Sequence, residues 1–360
     1  MKRSELVFER PLALQATQPA EVRGVPRDHA RLMVSSERGH AHTRFTELAH
    51  YLRPGDLVVV NDSATLPASL PATSAELGEF VVSMATNFGN GTWLIEPRWS
   101  TSQPGPLPVT AGIQIEIGGL PARLIAPYPG LPRLWFAQVD GDVRAAMGRI
   151  GAPIRYGYIT ESHPLSTYQT VFAAVPGSAE MPSAAYPFTE RVVNSLRENG
   201  VGIAAITLHT GVSSLEVETD VVEQHPMYPE PYHVSARTAK CVNTAKREGR
   251  RVIAVGTTVV RALETAFNGH EVEPSRGFTR LYIHPKRGVN VVDGLITGMH
   301  DPVTSHLAML YTIAGQDTIR DAYHEAVRAG YLWHEFGDSH LILPSDRRAL
   351  PEIRWIERTA

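Results

Sequence analysis

The stretch RVIAVGTTVVRALE, Arg251 to Glu264, concentrates Gly256, Thr257, Thr258, Arg261 and Glu264 where a short apolar run gives way to a helical pattern. Arg251 to Val255 is β-branched and apolar enough for a buried strand. Gly256 permits a close backbone approach, and Thr257 or Thr258 is expected to cap the helix that follows. Free amides at a helix start attract a carboxylate or phosphate. Arg261 lies three residues beyond Thr258 on one helix face, with Glu264 a further step along the same stripe. The chemistry this pattern supports is capture of an anionic group; the plain alternative is a strand-to-helix turn with an Arg–Glu surface pair.

Other polar residues sit at the ends of apolar runs. PGDLVVVND places Asn61 and Asp62 after a strand at Leu57 to Val60, and GIAAITLHTG places His209 after Ile203 to Leu208. VNVVDGLITGMHDP is read with Asp293 after another strand and His300 shortly beyond, while Asp338 of FGDSHLIL precedes a fourth apolar run. In open α/β sheets, ligands bind at the carboxyl ends of the strands, so these residues can converge on one pocket. An imidazole suits proton transfer near neutral pH, which makes His209, with His300, the candidate catalytic group alongside Arg261; a core histidine is the alternative for each. Tyr168, in YQTVFA, either hydrogen-bonds a ligand or packs its ring.

Fifteen histidines raise the possibility of a metal. His40 and His42 are separated by one residue and His300 and His306 by five, with no Cys pair or HExxH pattern, so no metal site is predicted. His42 is expected near the start of a helix leading to Tyr51.

Two kinds of element must position these groups. From Thr73 to about Asp140, short alternating runs (EFVVSMAT, GTWLIEPR, GIQIEIGG, ARLIAPY, RLWFAQVD) are separated by Gly and Pro turns. They predict an inserted antiparallel β-barrel domain over 73–140. Residues 1–72 and 141–343 alternate helices with strands and predict one α/β main domain with a parallel or mixed sheet. In it, Thr189 opens a helix that stops near Gly200, and Ser235 one that stops near Gly249. Residues 344–360 read as a peripheral tail, with Trp355 the residue to dock it.

Composition fits a soluble enzyme. The 360 residues are 43% hydrophobic and 20% charged, with a net charge of -3. No apolar run approaches the ~18 residues of a membrane span and MKRSELVFERP lacks the apolar core of a secretory signal, so a cytoplasmic location is expected. One cysteine, Cys241, excludes an internal disulfide and reads as a structural thiol. The charge gives no global pull toward nucleic acid; KREGRR, Lys246 to Arg251, is either a local basic surface or a solvated helix end.

The blocks NDSATLPASL, STYQTVFA, EMPSAAYPFTERVV, ITLHTGV, RVIAVGTTVVRALE, GFTRLYIHP, VVDGLITGMHDPVTSHLAML and FGDSHLIL, in this order, resemble the S-adenosylmethionine:tRNA ribosyltransferase-isomerase family over residues 6 to 343. The resemblance implies transfer of the ribosyl part of S-adenosylmethionine to the amine of 7-aminomethyl-7-deazaguanine in tRNA, giving epoxyqueuosine and releasing adenine and methionine. A sulfonium acidifies the adjacent C5′ hydrogen; loss of that proton opens the ribose, and closure to an epoxide expels methionine. Such chemistry needs a proton acceptor, a cation-tolerant pocket and polar groups for ribose hydroxyls. It implies S-adenosylmethionine as co-substrate and no prosthetic group. Thr189, within the PFTE segment, joins Asn61, Asp62, Tyr168, Gly256 to Thr258, Glu264, Asp293 and Asp338 as candidate substrate-binding residues.

Departures from the family pattern fall on the acceptor side. Ala64 and Ser69 replace arginines, Ala185 and Pro187 replace a glycine and a histidine, and Tyr228 and Pro229 replace a histidine and a serine. Lost cationic and donor groups weaken phosphate or base contacts. Three readings follow: tRNA modification with Arg155, Arg191 or His233 supplying contacts; ribosyl transfer to a small-molecule acceptor; or a non-catalytic module that binds tRNA or S-adenosylmethionine.

Overall fold

Runs of Val, Ile and Leu too apolar for a solvent-facing surface become the inner strands of a nine-stranded mixed sheet in the computed structural model, which describes residues 1–100, 103, 105–212 and 216–344. Gly202–Leu208, Leu57–Asn61, Val252–Val255 and Gly294–Gly298 lie side by side and parallel. Ser339–Leu343 runs antiparallel to Gly294–Gly298 and parallel to Arg31–Ser36, which pairs with Gly39–Arg44. On the opposite flank, Glu230–Val234 and the edge strand Ser275–Thr279 are antiparallel additions. Helices cover both faces, so Leu57–Asn61 and Val252–Val255 are buried at every residue.

Capping chemistry sets the helix starts. Thr189 accepts a hydrogen bond from the Val192 amide to open Glu190–Glu198, and Ser235 does the same from Thr238 to open Ala236–Arg247. Helix Thr257–Thr265 starts differently from expectation: its cap is Gly256, and neither threonine hydroxyl caps it. Gly256 has φ 91° and ψ 154°, a conformation almost restricted to glycine, and it turns the chain sharply from strand to helix. Two further expectations are corrected. His42 lies in the strand Gly39–Arg44, where its ring bonds the Tyr331 hydroxyl at 2.9 Å. Asp293 precedes the strand Gly294–Gly298, because Val291 to Asp293 were too short an apolar run to form a strand of their own.

The second sheet is a closed antiparallel barrel of Ser69–Ser74, Gly78–Gly89, Thr92–Arg98, Gln114–Ile117, Leu120–Tyr128 and Leu131–Val139. Alternation drives one side of each strand inward, where Leu70, Val82, Leu94, Ile117, Leu124 and Leu134 are solvent-inaccessible. The change of pattern at Thr73 falls inside the first strand, which begins at Ser69. Helix Val143–Ile150 adds Val143 and Met147 to the same core. Thr86 donates to the Pro229 carbonyl and Tyr128 to that of Met227, seating the barrel against the main sheet. Among the described residues no helix is long and apolar enough to cross a membrane. Trp355 lies outside the described residues.

Candidate active site

A cavity of about 320 Å³ opens where the four parallel strands end. Thr65, Thr210 and Gly256 reach it just beyond those strands and Gly298 at a strand's last residue, with the first turn of helix Thr257–Thr265 also on its lining. The amides of Thr257 and Thr258 have no carbonyl one turn back to bond, so they and the positive end of the helix dipole are available to an anion.

The same cavity also carries acidic and aromatic groups. Glu180 and Glu335 line it, each tied to a tyrosine: Tyr156 donates to Glu180, and Tyr158 donates to Glu335 at 2.8 Å. The two rings stack at 5.8 Å between centroids, and Tyr158 stacks in turn on His334 at 4.3 Å. Burial, reinforced by the nearby charge of Glu180, pushes the Glu335 carboxyl up to about 7. Asp301 stands between Arg10 and His334 at 2.8 and 3.0 Å. Carboxylates, aromatic faces and helix amides lining one cavity make a receptor for a ligand carrying a cation and a carboxylate.

His300 and His306 complete the cavity, with ring centroids 4.7 Å apart. His300 shares a 2.7 Å hydrogen bond with Thr297, and the Trp333 indole donates to its carbonyl. Burial holds His300 well below the usual imidazole value, helped by His306, and lowers His306 to about 4, helped by the Arg261 charge. Both are neutral at physiological pH and so able to accept a proton or a hydrogen bond. Among the described residues no group of three or more His, Cys, Asp or Glu is placed to hold a metal ion.

Residues 3–342 match the family described as queuosine biosynthesis protein. The chain belongs to that family. It is 38% identical over 326 residues to the S-adenosylmethionine:tRNA ribosyltransferase-isomerase of Thermus thermophilus, covering 88% of this chain and 94% of that protein. It is 37% identical over 352 residues to the Moorella thermoacetica protein of the same name, covering 95% of this chain and 100% of that one. The crystal structure of S-adenosylmethionine tRNA ribosyltransferase from Thermotoga maritima superposes with a TM-score of 0.53 at 28% identity, over 94% of this chain and 100% of that one.

In this queuosine-family chain the structure brings Tyr168, Gly256, Thr257, Thr258 and His300 to one cavity. It does not bring the rest. Arg261 is buried beside the cavity, but Glu230 pairs with its guanidinium, which also donates to the Leu281 carbonyl. Glu264 accepts bonds from Arg287, Asn290 and the Val291 amide, so it braces a loop and forms no pair with Arg261. Asn61 is fully buried, bridging Leu208 and Thr258, and Asp62 accepts from Thr207. Asp293 bonds the Val252 amide and Lys246, Asp338 is clasped by Arg31 and the Leu332 amide, and Thr189 caps its helix while donating to Asp28. His209 turns away into a separate cleft against the barrel.

The segment Lys246 to Arg251 is a salt-bridged helix end, with Lys246 on Asp293, Arg250 on Glu248 and Arg251 on Asp56. Arg191 is held by Asp28. Tyr228 donates to the Val212 carbonyl and leaves room only for Gly211, so it packs the barrel junction. Glu180, Glu335 and Tyr158 carry no signal in the sequence, because SAEMP, WHEFG and RYGYIT have no periodic or strand-end pattern.

Proposed function

We infer that the chain moves the ribosyl group of S-adenosylmethionine onto 7-aminomethyl-7-deazaguanine in tRNA and isomerises it to epoxyqueuosine, releasing adenine and methionine. The observation that carries this reading is one cavity lined by groups of both kinds: helix amides at Thr257 and Thr258, and the carboxylate–tyrosine pairs of Glu180 with Tyr156 and Glu335 with Tyr158. S-adenosylmethionine is a zwitterion of matching form, with a carboxylate for the helix start and a sulfonium for the anionic, aromatic groups.

The first chemical event is removal of the C5′ proton next to the sulfonium. Glu335 is our assignment for the acceptor, since a carboxylate titrating near neutrality combines basicity with a useful ionised fraction. The C5′–H electron pair then opens the ribose and expels adenine, whose departure needs a proton; His300 and His306, neutral and hydrogen-bonding, sit where they can steer it. The opening leaves a vinyl sulfonium at C4′–C5′ and an aldehyde at C1′. The acceptor amine adds to C4′ and loses a proton, and the C5′ ylide so formed attacks C1′ to close the carbocycle. The resulting alkoxide displaces the sulfur from C5′ with its electron pair as methionine, closing the epoxide.

Incubating the protein with S-adenosylmethionine, with and without tRNA bearing the aminomethyl base, and measuring adenine and methionine by chromatography tests the reading. Release that depends on that tRNA is expected. Absence of both products with the tRNA present rejects it.

A further inference from the structure

A second cavity, of about 350 Å³, lies where the barrel meets the main sheet, and no step above uses it. The short strands Ser63–Thr65 and Val175–Ser178 form the partition: Leu66 and Gly177 face this cleft, while Thr65 and Ala179 face the active-site cavity. Trp93 and Phe88 line it from the barrel, Arg144 from the helix beside it, and His209 and Pro231 from the main sheet. Gly177 is required there, because a Cβ would fall 2.4 Å from the His209 ring. The Trp93 indole N–H has no hydrogen-bond partner, and the exposed Arg144 no ion pair, among the described residues.

The cleft continues onto an aromatic and cationic surface. Phe88 packs against Phe278 at 5.5 Å and Phe136 at 5.9 Å, so the rings cross from barrel to sheet edge. Phe278 is 49% exposed on the edge strand, directly opposite Pro231 in register, with Arg276 opposite His233. Alternation puts Arg276 and Phe278 on one face, and the exposed Arg280 follows just past the strand's end. Neither arginine has an ion pair among the described residues, in a chain whose net charge is -3 and whose other basic cluster is neutralised.

A ring-lined cleft that opens beside the exposed Phe278 and guanidiniums without ion pairs among the described residues suits single-stranded nucleic acid, whose bases stack on rings while phosphates meet cations. We propose that this cleft holds an unstacked base flanking the target nucleotide, with the adjoining phosphates on Arg144, Arg276 and Arg280. The proposal rests on the tRNA reading above and adds the path of the strand: one base enters the active-site cavity and a neighbour enters this cleft, across the partition.

The test uses an RNA hairpin whose loop carries the aminomethyl-deazaguanine with 2-aminopurine beside it. The exposed side chains allow Phe278→Ala and Arg144→Ala without disturbing a core, which an unchanged melting temperature verifies. The double variant is expected to bind the hairpin at least about tenfold more weakly. Its salt slope should be shallower by about one for the arginine removed. The 2-aminopurine quenching seen with the wild type should be lost, while affinity for S-adenosylmethionine by calorimetry is unchanged. Retention of wild-type affinity and quenching in the double variant overturns the proposal, as does failure of the wild-type chain to bind the hairpin. Weakened RNA binding without adenine release by the wild type would sink the activity and leave the cleft standing; adenine release with unaffected variants does the reverse.

Discussion

Tyr158 donates its hydroxyl hydrogen to Glu335 at 2.8 Å while its ring lies between those of Tyr156 and His334. The carboxyl is therefore held in one orientation by a side chain that is itself clamped on both faces. Glu335→Gln keeps the shape and removes the base. Adenine release should fall by about a hundredfold or more at saturating substrates. In the wild type, kcat should rise with pH through about 7, and this rise should vanish in the variant. A loss smaller than tenfold, or a variant that retains the rise, would reassign the base.

Stability should carry the same signature with the opposite slope. Burial raises the Glu335 carboxyl in the folded state, so its contribution is fully present below the unfolded value and is lost as pH climbs through about 7. Glu335→Gln should gain melting temperature relative to wild type at pH 8 and not at pH 4. Scanning calorimetry at the two pH values decides it.

Buried histidines work in the other direction. His306 and His340 are depressed to about 4 and about 3, both by burial first, so the stability they lend is present above the unfolded value near 6.5 and lost as pH falls toward their folded values. Acid unfolding should therefore begin below pH 6.5 and steepen toward pH 4. His340→Gln, which removes a fully buried titrating group, should flatten that limb in denaturant titrations.

Arg261→Ala is expected to act mainly on folding. Its side chain is 8% exposed and its guanidinium is paired with Glu230, and leaving a buried carboxylate alone costs about 3–5 kcal/mol. Chemical denaturation should show that loss, and Arg261→Met with Glu230→Gln should recover most of it. Full stability of Arg261→Ala with abolished S-adenosylmethionine binding would restore a direct ligand role.

Gly256→Ala tests the turn. A side chain at φ 91° is strained by about 1–3 kcal/mol, and its Cβ would press on that of Ala184 at 3.2 Å. Both effects displace the helix start, so the KM for S-adenosylmethionine should rise with the melting temperature falling. An alanine variant with wild-type KM would show that the ligand does not use that helix end.

Much of the architecture was legible because it rests on periodicity. The alternating runs of the barrel and the apolar runs ending at Asn61, Leu208 and Val255 are one-dimensional signals of burial. The cavity itself was half legible. Gly256 to Thr258 and His300 follow strands that share a sheet edge, so their convergence follows from topology. Asp338, Glu264 and Asn61 also stand near strand or helix ends, yet each bonds backbone amides or carbonyls. A strand end needs such partners as often as a ligand does, and sequence alone does not separate the two uses. Glu180 and Glu335 lie in irregular segments brought together only by tertiary folding, and His209 was misplaced because consecutive residues at a strand end point to opposite sides of the partition.

That partition is threaded by hydroxyls: His209 Nδ1 meets Ser63 Oγ at 2.7 Å, Ser63 meets Ser178 at 2.7 Å, and Ser178 meets Thr210 at 3.3 Å. Rotating any one hydroxyl obliges the next to exchange donor for acceptor, so the chain has two internally consistent polarities. A guest that fixes the imidazole tautomer on one side selects one polarity, and with it the face Thr210 offers on the other. Any preference of S-adenosylmethionine for one of those polarities would be returned by the same factor as a preference for that guest.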